Sequence, residues 1–415
     1  MSEPLRFIVL HPGARLHYAV PAILARAGML ERFYTDIHAP TGVVFSWLAR
    51  IPGWLLPRPI FRLRGRVLPA ELVGRVSSAP FATIRDWLGE IGRRPGEPVV
   101  PTRSEVLLRK RILREDFREA NALYTLSNAD LDLVREAKAR GMVVVHEQII
   151  NPHVGRILRE ERTRFPGIEP QDPVVEIEGG ISRDEAQWQL SDLVLCASSF
   201  VCNEVRQHGI PSDRVALVPY GIPPSWLSLS PVPRLGRLLF VGSVGLRKGV
   251  HYLAAASRML RERGVPHETR IVGPFDPSAI ARTEFAGLSY MGQVPRSLVQ
   301  DEFLSADLFV FPTLAEGFAL VHLEALACGV PIITTPNCGS VVRDGVEGFI
   351  VPIRDPQAIA DRVQQLLQDR ALRNRMSAAA KVRAAEFVWE RYSERLVEAI
   401  REAARRSRAA TTLEA

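Results

Sequence analysis

The chain has 415 residues, too many for one ordinary hydrophobic core, so two or three domains are expected. Its 47% hydrophobic and 24% charged residues are ordinary for a soluble globular protein. The net charge of +7 suits an anionic ligand or an acidic membrane surface, but Lys and Arg are spread among acids, which argues against a nucleic-acid face.

Cys196, Cys202, Cys328 and Cys338 form no CxxC pair and have no histidine at zinc spacing, so buried reduced thiols and no metal site are expected. Residues 1–12 hold one short apolar run without a small-residue cleavage site, and no window reaches the length of a membrane span. The cytoplasm is the expected compartment.

In chain order, apolar β-type runs alternate with amphipathic helical stretches, which predicts parallel α/β domains with right-handed crossovers. First-half strands are expected at 6–10, Ala122–Leu126, 142–146, Leu193–Cys196 and 215–218. The alternation breaks between 41 and 75, where Arg50, Arg58, Arg62 and Arg64 are interleaved with Trp47, Trp54 and Phe61, and Glu71 is the single acid. That mixture fits an interfacial membrane-binding element. It fits equally an insertion packed on the first lobe with solvated arginines, because Pro52, Pro57, Pro59 and Pro69 prevent one long helix. Residues 219–233 contain Gly221, Pro223, Pro224, Pro231 and Pro233, a composition suited to a linker. A second series of strands follows at 238–241, 269–272, 288–291, Leu308–Phe311 and 331–334. Helices then run from 356 to about 404, and the Arg-rich tail is expected to fray.

Two consecutive α/β lobes suggest a cleft enzyme, with ligands at the carboxyl ends of the strands. After the strand 238–241 comes Gly242-Ser243-Val244-Gly245-Leu246-Arg247-Lys248-Gly249. Its glycines allow close backbone approach, and Arg247 and Lys248 beside a helix start can neutralise a diphosphate. Taken alone, such a pair is more often solvated surface. The turns at Gly273-Pro274 and Gly292-Gln293-Val294 can present backbone to a nucleobase. After Leu308–Phe311, Glu316 falls in the loop before a helix and Glu324 inside it. They cannot form a surface pair one turn apart. The apolar Ala325-Leu326-Ala327 predicts a buried helix, so an inward Glu324 needs partners, and ribose hydroxyls supply them.

These segments, with Ala327-Cys328-Gly329-Val330-Pro331, Gly348-Phe349-Ile350-Val351-Pro352 and Trp389-Glu390, resemble the retaining family 4 (group 1) glycosyltransferases of GT-B fold. The resemblance is strong from about 237 to 391 and weaker before it. It implies two Rossmann-like parallel α/β lobes facing across a cleft, with C-terminal helices crossing back to the first. The lobes are expected at 1–219, with an insertion at about 41–105, and at 237–385, joined by 220–236 and followed by a helix and tail at 386–415.

The resemblance also implies roles. Arg247 and Lys248 would clamp the donor diphosphate, with Gly317 and the backbone of Phe318, Ala319 and Leu320 meeting phosphate and sugar. Glu324, Val294 and Gly242 would hold the nucleotide, and Glu316 the transferred sugar. His146, ending the strand 142–146, is similar to the family's active-site histidine, which can hydrogen-bond a sugar hydroxyl or accept a proton. Gly13 and His17 stand where the family faces the acceptor, though His17 also fits a surface histidine. Ser198 and Ser199 suit a helix cap first, and Tyr220-Gly221 marks the hinge. The family commonly has an arginine where this chain has Ser243.

The expected activity is transfer of a sugar from a UDP- or GDP-sugar to a hydroxyl of a sugar or lipid-linked acceptor, with retention, in polysaccharide, glycolipid or glycoconjugate synthesis. No cofactor or metal is expected, nor a nucleic-acid partner. An anionic membrane surface, reached through 41–75 on the inner face of the plasma membrane, is a further expected partner. The rival readings are a nucleotide-sugar epimerase of the same fold and a catalytically silent nucleotide-sugar-binding paralogue. An epimerase needs acid/base groups on both faces of the sugar, and only His146 and Glu316 stand out.

Overall fold

The structure, a computed structural model, describes residues 4–39, 63, 65–89, 102–127 and 130–414. Most of 41–75, and much of the wider 41–105 insertion, lies outside them. In the first lobe β1 (Phe7–Leu10), α1 (Ala19–Arg26), β2 (Leu30–Thr35), β3 (Val76–Ser78), α2 (Pro80–Gly89) and α3 (Arg103–Arg114) come first. There follow β4 (Ala122–Leu126), α4 (Leu131–Ala139), β5 (Val143–Gln148), α5 (Val154–Arg164), α6 (Val174–Leu190), β6 (Leu193–Cys196), α7 (Ser199–Gln207) and β7 (Val215–Leu217). The second lobe has β8 (Arg237–Val241), α8 (Val250–Glu262), β9 (Glu268–Val272), α9 (Pro277–Ile280), β10 (Ser289–Gly292), α10 (Arg296–Ser305), β11 (Leu308–Phe311), α11 (Leu320–Ala327), β12 (Ile332–Thr334) and β13 (Gly348–Ile350). The chain closes with α12 (Pro356–Gln368), α13 (Arg370–Ala384) and α14 (Trp389–Glu414).

All strand pairs are parallel, in the orders β3-β2-β1-β4-β5-β6-β7 and β10-β9-β8-β11-β12-β13. Parallel sheets are covered on both faces, which is why β4 and β11 read as unbroken buried runs rather than alternating ones. Each sheet reverses its strand order beside its first strand, at β1/β4 and β8/β11. These switch points open a crevice at the strand carboxyl ends.

The second core gathers Leu239, Phe309, Leu323 and Ile332, and the first gathers Phe7, Val9, Tyr124 and Val145. Tyr392, Leu396 and Ile400 of α14 belong to the first core, so the last helix crosses back as the sequence implied. The two crossings lie side by side: Ile222 pairs with Val388, and the Ile222 N–H donates to Phe387 O at 2.9 Å. A Cβ on Gly221 would sit 2.7 Å from the Val388 carbonyl carbon, so the hinge requires glycine there.

Several expectations change. β2, β3 and β13 were not anticipated, because Leu-Glu-Arg-Phe-Tyr-Thr mixes charge into a strand and β3 and β13 have three residues each. The Pro-rich stretch is packed rather than loose, with Trp226 buried against Phe303 and the Lys381 ammonium donating to Leu229 O at 3.1 Å. α14 continues to Glu414, beyond the helix end expected at about 404.

α5 leaves the first lobe and docks on the second, with Ile157 and Phe165 against its core. Glu161, fully buried, accepts from Tyr252 Oη at 2.6 Å and Arg354 Nε at 2.6 Å, and lies 2.9 Å from His251 Nε2. Burial pushes its carboxyl up, but bonds from His251, Tyr252 and Arg354 outweigh burial and leave it below its ordinary value. Glu161→Ala strands three polar groups and is expected to cost about 3–5 kcal/mol in urea unfolding. A loss under about 1 kcal/mol, the value of an exposed pair, would show that the lobes are held elsewhere.

Candidate functional site

The second switch point assembles the acids and cations. Gly249, at φ 68, carries no Cβ; one built there would lie 2.0 Å from Pro312 O, so the turn after β8 is clamped onto the loop after β11. That contact brings residues far apart in sequence together. Arg247 Nη1 donates to Ala315 O at 3.0 Å and to Glu316 Oε2 at 2.9 Å, and Lys248 pairs with the same carboxylate oxygen. Thr313 Oγ1 and the Leu314 N–H hold the Arg247 carbonyl at 3.0 and 2.8 Å. Lys248 Nζ lies 5.0 Å from the Phe311 ring centroid. Burial lowers the Lys248 ammonium from its ordinary value, opposed by Glu316.

The same turn already holds one anion. Glu169, from the first lobe, accepts the Leu246 N–H at 2.8 Å and is steadied by Arg162 at 3.4 Å. No acid at this position was anticipated from sequence, because Glu169 lies in a polar loop before α6.

Loop 316–319 is pressed against the first lobe. A Cβ on Gly317 would fall 1.7 Å from Ile149 O, and Ser198 Oγ, which also caps α7 at Val201 N, donates to Gly317 O at 2.6 Å. Phe318 meets Tyr220 edge-on at 5.2 Å. α11 starts at Leu320 with no side-chain cap from Ala319, a helix N-terminus suited to an anion.

Glu324 points inward from α11, and burial pushes its carboxyl up to about 7 against the pull of Arg296, whose Nη2 is 3.4 Å away. Gly242, with its N–H on Val272 O at 2.8 Å, follows β8, and the half-buried Val294 follows β10, with β9 between the two strands. His322, two residues before Glu324 on α11, was not singled out from sequence. It is buried beneath Phe309 and Phe311, bonded through Nδ1 to Ser340 Oγ at 2.8 Å, and burial lowers it to about 3. Ser243 is exposed beside these groups.

In the first lobe the expectation that His146 faces the cleft is corrected. It lies on the α6 side of β5, fully buried, with Nδ1 3.1 Å from Thr125 Oγ1 and Nε2 3.0 Å from Gln148 Oε1. Burial lowers it to about 4, so it is neutral with both nitrogens engaged. Its neighbour Glu147 has the opposite face. Glu147 accepts from Tyr220 Oη at 2.5 Å and Tyr124 Oη at 2.6 Å, with Arg15 Nε 3.6 Å away.

Arg15 Nη2 also donates to Tyr220 Oη at 2.5 Å, which places a cation one ring from Phe318. The loop that delivers it is strained, with Leu16, His17 and Tyr18 at φ 49, 54 and 61. His17 itself is exposed, and the Gly13 N–H donates to Asp36 Oδ1 at 2.8 Å.

The family model for glycosyl transferases group 1 matches residues 236–369, the lobe that carries Arg247, Lys248, Glu316 and Glu324. This stretch is similar to a group 1 glycosyl transferase domain. A D-inositol 3-phosphate glycosyltransferase of Xylanimonas cellulosilytica is 29% identical over 277 residues, 59% of this chain and 65% of that protein. The O-antigen chain mannosyltransferase B of Escherichia coli is 28% identical over 252 residues, 54% of this chain and 64% of that one. The match thus spans less than two thirds of either relative.

Among solved structures, Anabaena HepE in complex with UDP and glucose aligns over 95% of this chain and 99% of its own, at TM-score 0.57 and 13% identity. Sucrose-phosphate synthase from Thermosynechococcus elongatus aligns over 96% and 98%, at TM-score 0.64 and 17% identity. The group 1 domain is therefore the second half of a GT-B fold.

Proposed function

We propose that the protein is a retaining glycosyltransferase that binds a UDP- or GDP-sugar in its group 1 domain. It passes the sugar to a hydroxyl of a sugar or lipid-linked acceptor, in polysaccharide, glycolipid or glycoconjugate assembly. The observation that carries this reading is the convergence of Arg247 and Lys248 on Glu316 at the β8/β11 switch point. Two cations sharing one carboxylate are under-neutralised, so a diphosphate supplies the missing negative charge. Glu316 is then released to accept hydrogen bonds from the transferred sugar. UDP is favoured by the neighbour solved with UDP and glucose.

In the proposed step the acceptor oxygen bonds to the anomeric carbon on the face that the diphosphate leaves. The carbon–oxygen bond to phosphate breaks through an oxocarbenium-like state, and the acceptor proton passes to the departing phosphate oxygen. Arg247, Lys248 and the start of α11 stabilise that oxyanion with no metal in the reaction. A covalent intermediate on Glu147 is disfavoured, because that carboxylate is held by two tyrosine hydroxyls.

Among the described residues no helix is long and apolar enough to cross a membrane. Association with an anionic inner leaflet rests on 41–75 alone, and pelleting with anionic vesicles decides it.

A thermal-shift panel of UDP, GDP and ADP tests the donor. Nucleotide binding to the native state raises its stability by mass action. UDP or GDP is expected to raise the melting temperature of the wild type and to leave Lys248→Ala nearly unmoved. No shift with any of the three would overturn the donor assignment.

A further inference from the structure

Away from the donor site, three side chains from the start of α5 and the last turn of α7 converge on one point of the first lobe. We propose that His153, Glu204 and His208 form a binding site for a divalent transition-metal cation, zinc being the type case. His153 caps the start of α5, Glu204 lies on α7, and His208 ends α7. One ligand atom from each lies within 4.8 Å of the others.

His153 Nδ1 is 2.6 Å from Glu204 Oε1, and His208 Nδ1 is 3.4 Å from the same oxygen. Bonds of about 2.0–2.2 Å to a tetrahedral cation hold its ligands roughly 3.3–3.5 Å apart, so small rotations turn this cluster into a coordination shell. Two imidazoles and a carboxylate suit zinc and its first-row neighbours rather than magnesium or calcium.

The surroundings already orient the ligands. Asn151, 2% exposed, donates from Nδ2 to Glu204 Oε2 at 2.8 Å, leaving Oε1 toward the imidazoles. Its Oδ1 accepts the His153 N–H at 2.8 Å, so one side chain fixes two ligands. Glu185 Oε1 stands 3.4 Å from His208 Nε2. A carboxylate on the far nitrogen is the arrangement that fixes a ligating imidazole and raises its basicity.

Without the cation, His208 Nδ1 rests 2.9 Å from the Glu204 carbonyl. On binding, that nitrogen turns to the metal and the Nε2 N–H donates to Glu185. All three ligands are half-buried, which leaves an entry path and room for water.

The position gives the cation a job distinct from the donor site. α5 carries Glu161 onto the second lobe, and the α7 cap Ser198 holds Gly317 O. A cation joining the start of α5 to the end of α7 braces both elements through which the first lobe grips the second.

The test uses the full chain, tag removed and EDTA-stripped, titrated with zinc sulfate against a chromogenic chelator. The expected result is one zinc bound per chain and a melting temperature raised by zinc but not by magnesium. His208→Ala and His153→Gln, each shown to melt cooperatively in EDTA, should weaken binding by at least about tenfold and lose the zinc-dependent rise. The proposal is overturned if wild type binds no more zinc than the doubly substituted chain, a control that also accounts for the four buried thiols. It is equally overturned if zinc leaves the wild-type melting temperature unchanged.

Discussion

Lys248→Ala is expected to lower kcat/KM by about 10²–10³ with whichever donor stabilises the wild type, the cost of removing one preorganised charge from a developing oxyanion. Lys248 is a demanding case because burial already disfavours its ammonium. Glu316, or a bound diphosphate, opposes that effect. At an effective dielectric near 20, one such contact at 4 Å is worth about 4 kcal/mol, and the loss grows as charge builds on the leaving phosphate. Folding should suffer little, since Arg247 still pairs with Glu316 at 2.9 Å. Steady-state kinetics beside a thermal melt separates the two effects. Activity within threefold of wild type would remove Lys248 from the reaction.

Glu324→Gln should move stability and affinity in opposite directions. The folded carboxyl is raised from an ordinary 4.5 to about 7, chiefly by burial. The native state therefore holds a proton that the unfolded chain releases, and this contribution is full below 4.5 and lost as pH rises to about 7. Above that, the wild type carries a buried charge that the glutamine lacks. The variant should gain on the order of 1–3 kcal/mol at pH 8 and almost nothing at pH 4.5, read by urea unfolding.

Nucleotide binding should weaken by about 10–100-fold in that variant, because ribose hydroxyls lose a charged acceptor. In the wild type, affinity should rise between pH 6 and 8 with proton release, visible by calorimetry in buffers of differing ionisation enthalpy. A variant less stable at pH 8, or binding nucleotide as well as wild type, would contradict a ribose role for Glu324.

The second lobe was legible because its chemistry is local. The apolar run Leu308–Phe311, the loop acid Glu316 and the helix acid Glu324 lie within one strand–loop–helix unit, and the structure keeps that order. The convergence of Arg247 and Lys248 on Glu316 was only implicit, since it depends on Gly249 passing under Pro312 O.

The first lobe was harder to read. His146 and Glu147 are neighbours on β5 with opposite faces, and sequence does not say which face meets α6 and which meets Tyr220. A strand-end residue was visible, but its side of the sheet was not. Glu161 and Arg354 act through a contact spanning both lobes, Arg15 acts through the hinge residue Tyr220, and the His153, Glu204 and His208 trio joins the start of α5 to the end of α7. Cysteine spacing, the signal used for metals in the sequence, does not detect such a cluster.

The most direct measurement is a crystal structure of the protein with UDP or GDP. The expected result is diphosphate oxygens within hydrogen-bond distance of Arg247 and Lys248, ribose hydroxyls on Glu324, and Glu316 turned toward the sugar subsite. Nucleotide seated instead beside the 11–18 loop, or Glu316 still paired with Lys248 at saturation and the crevice empty, would contradict a donor site in the second lobe.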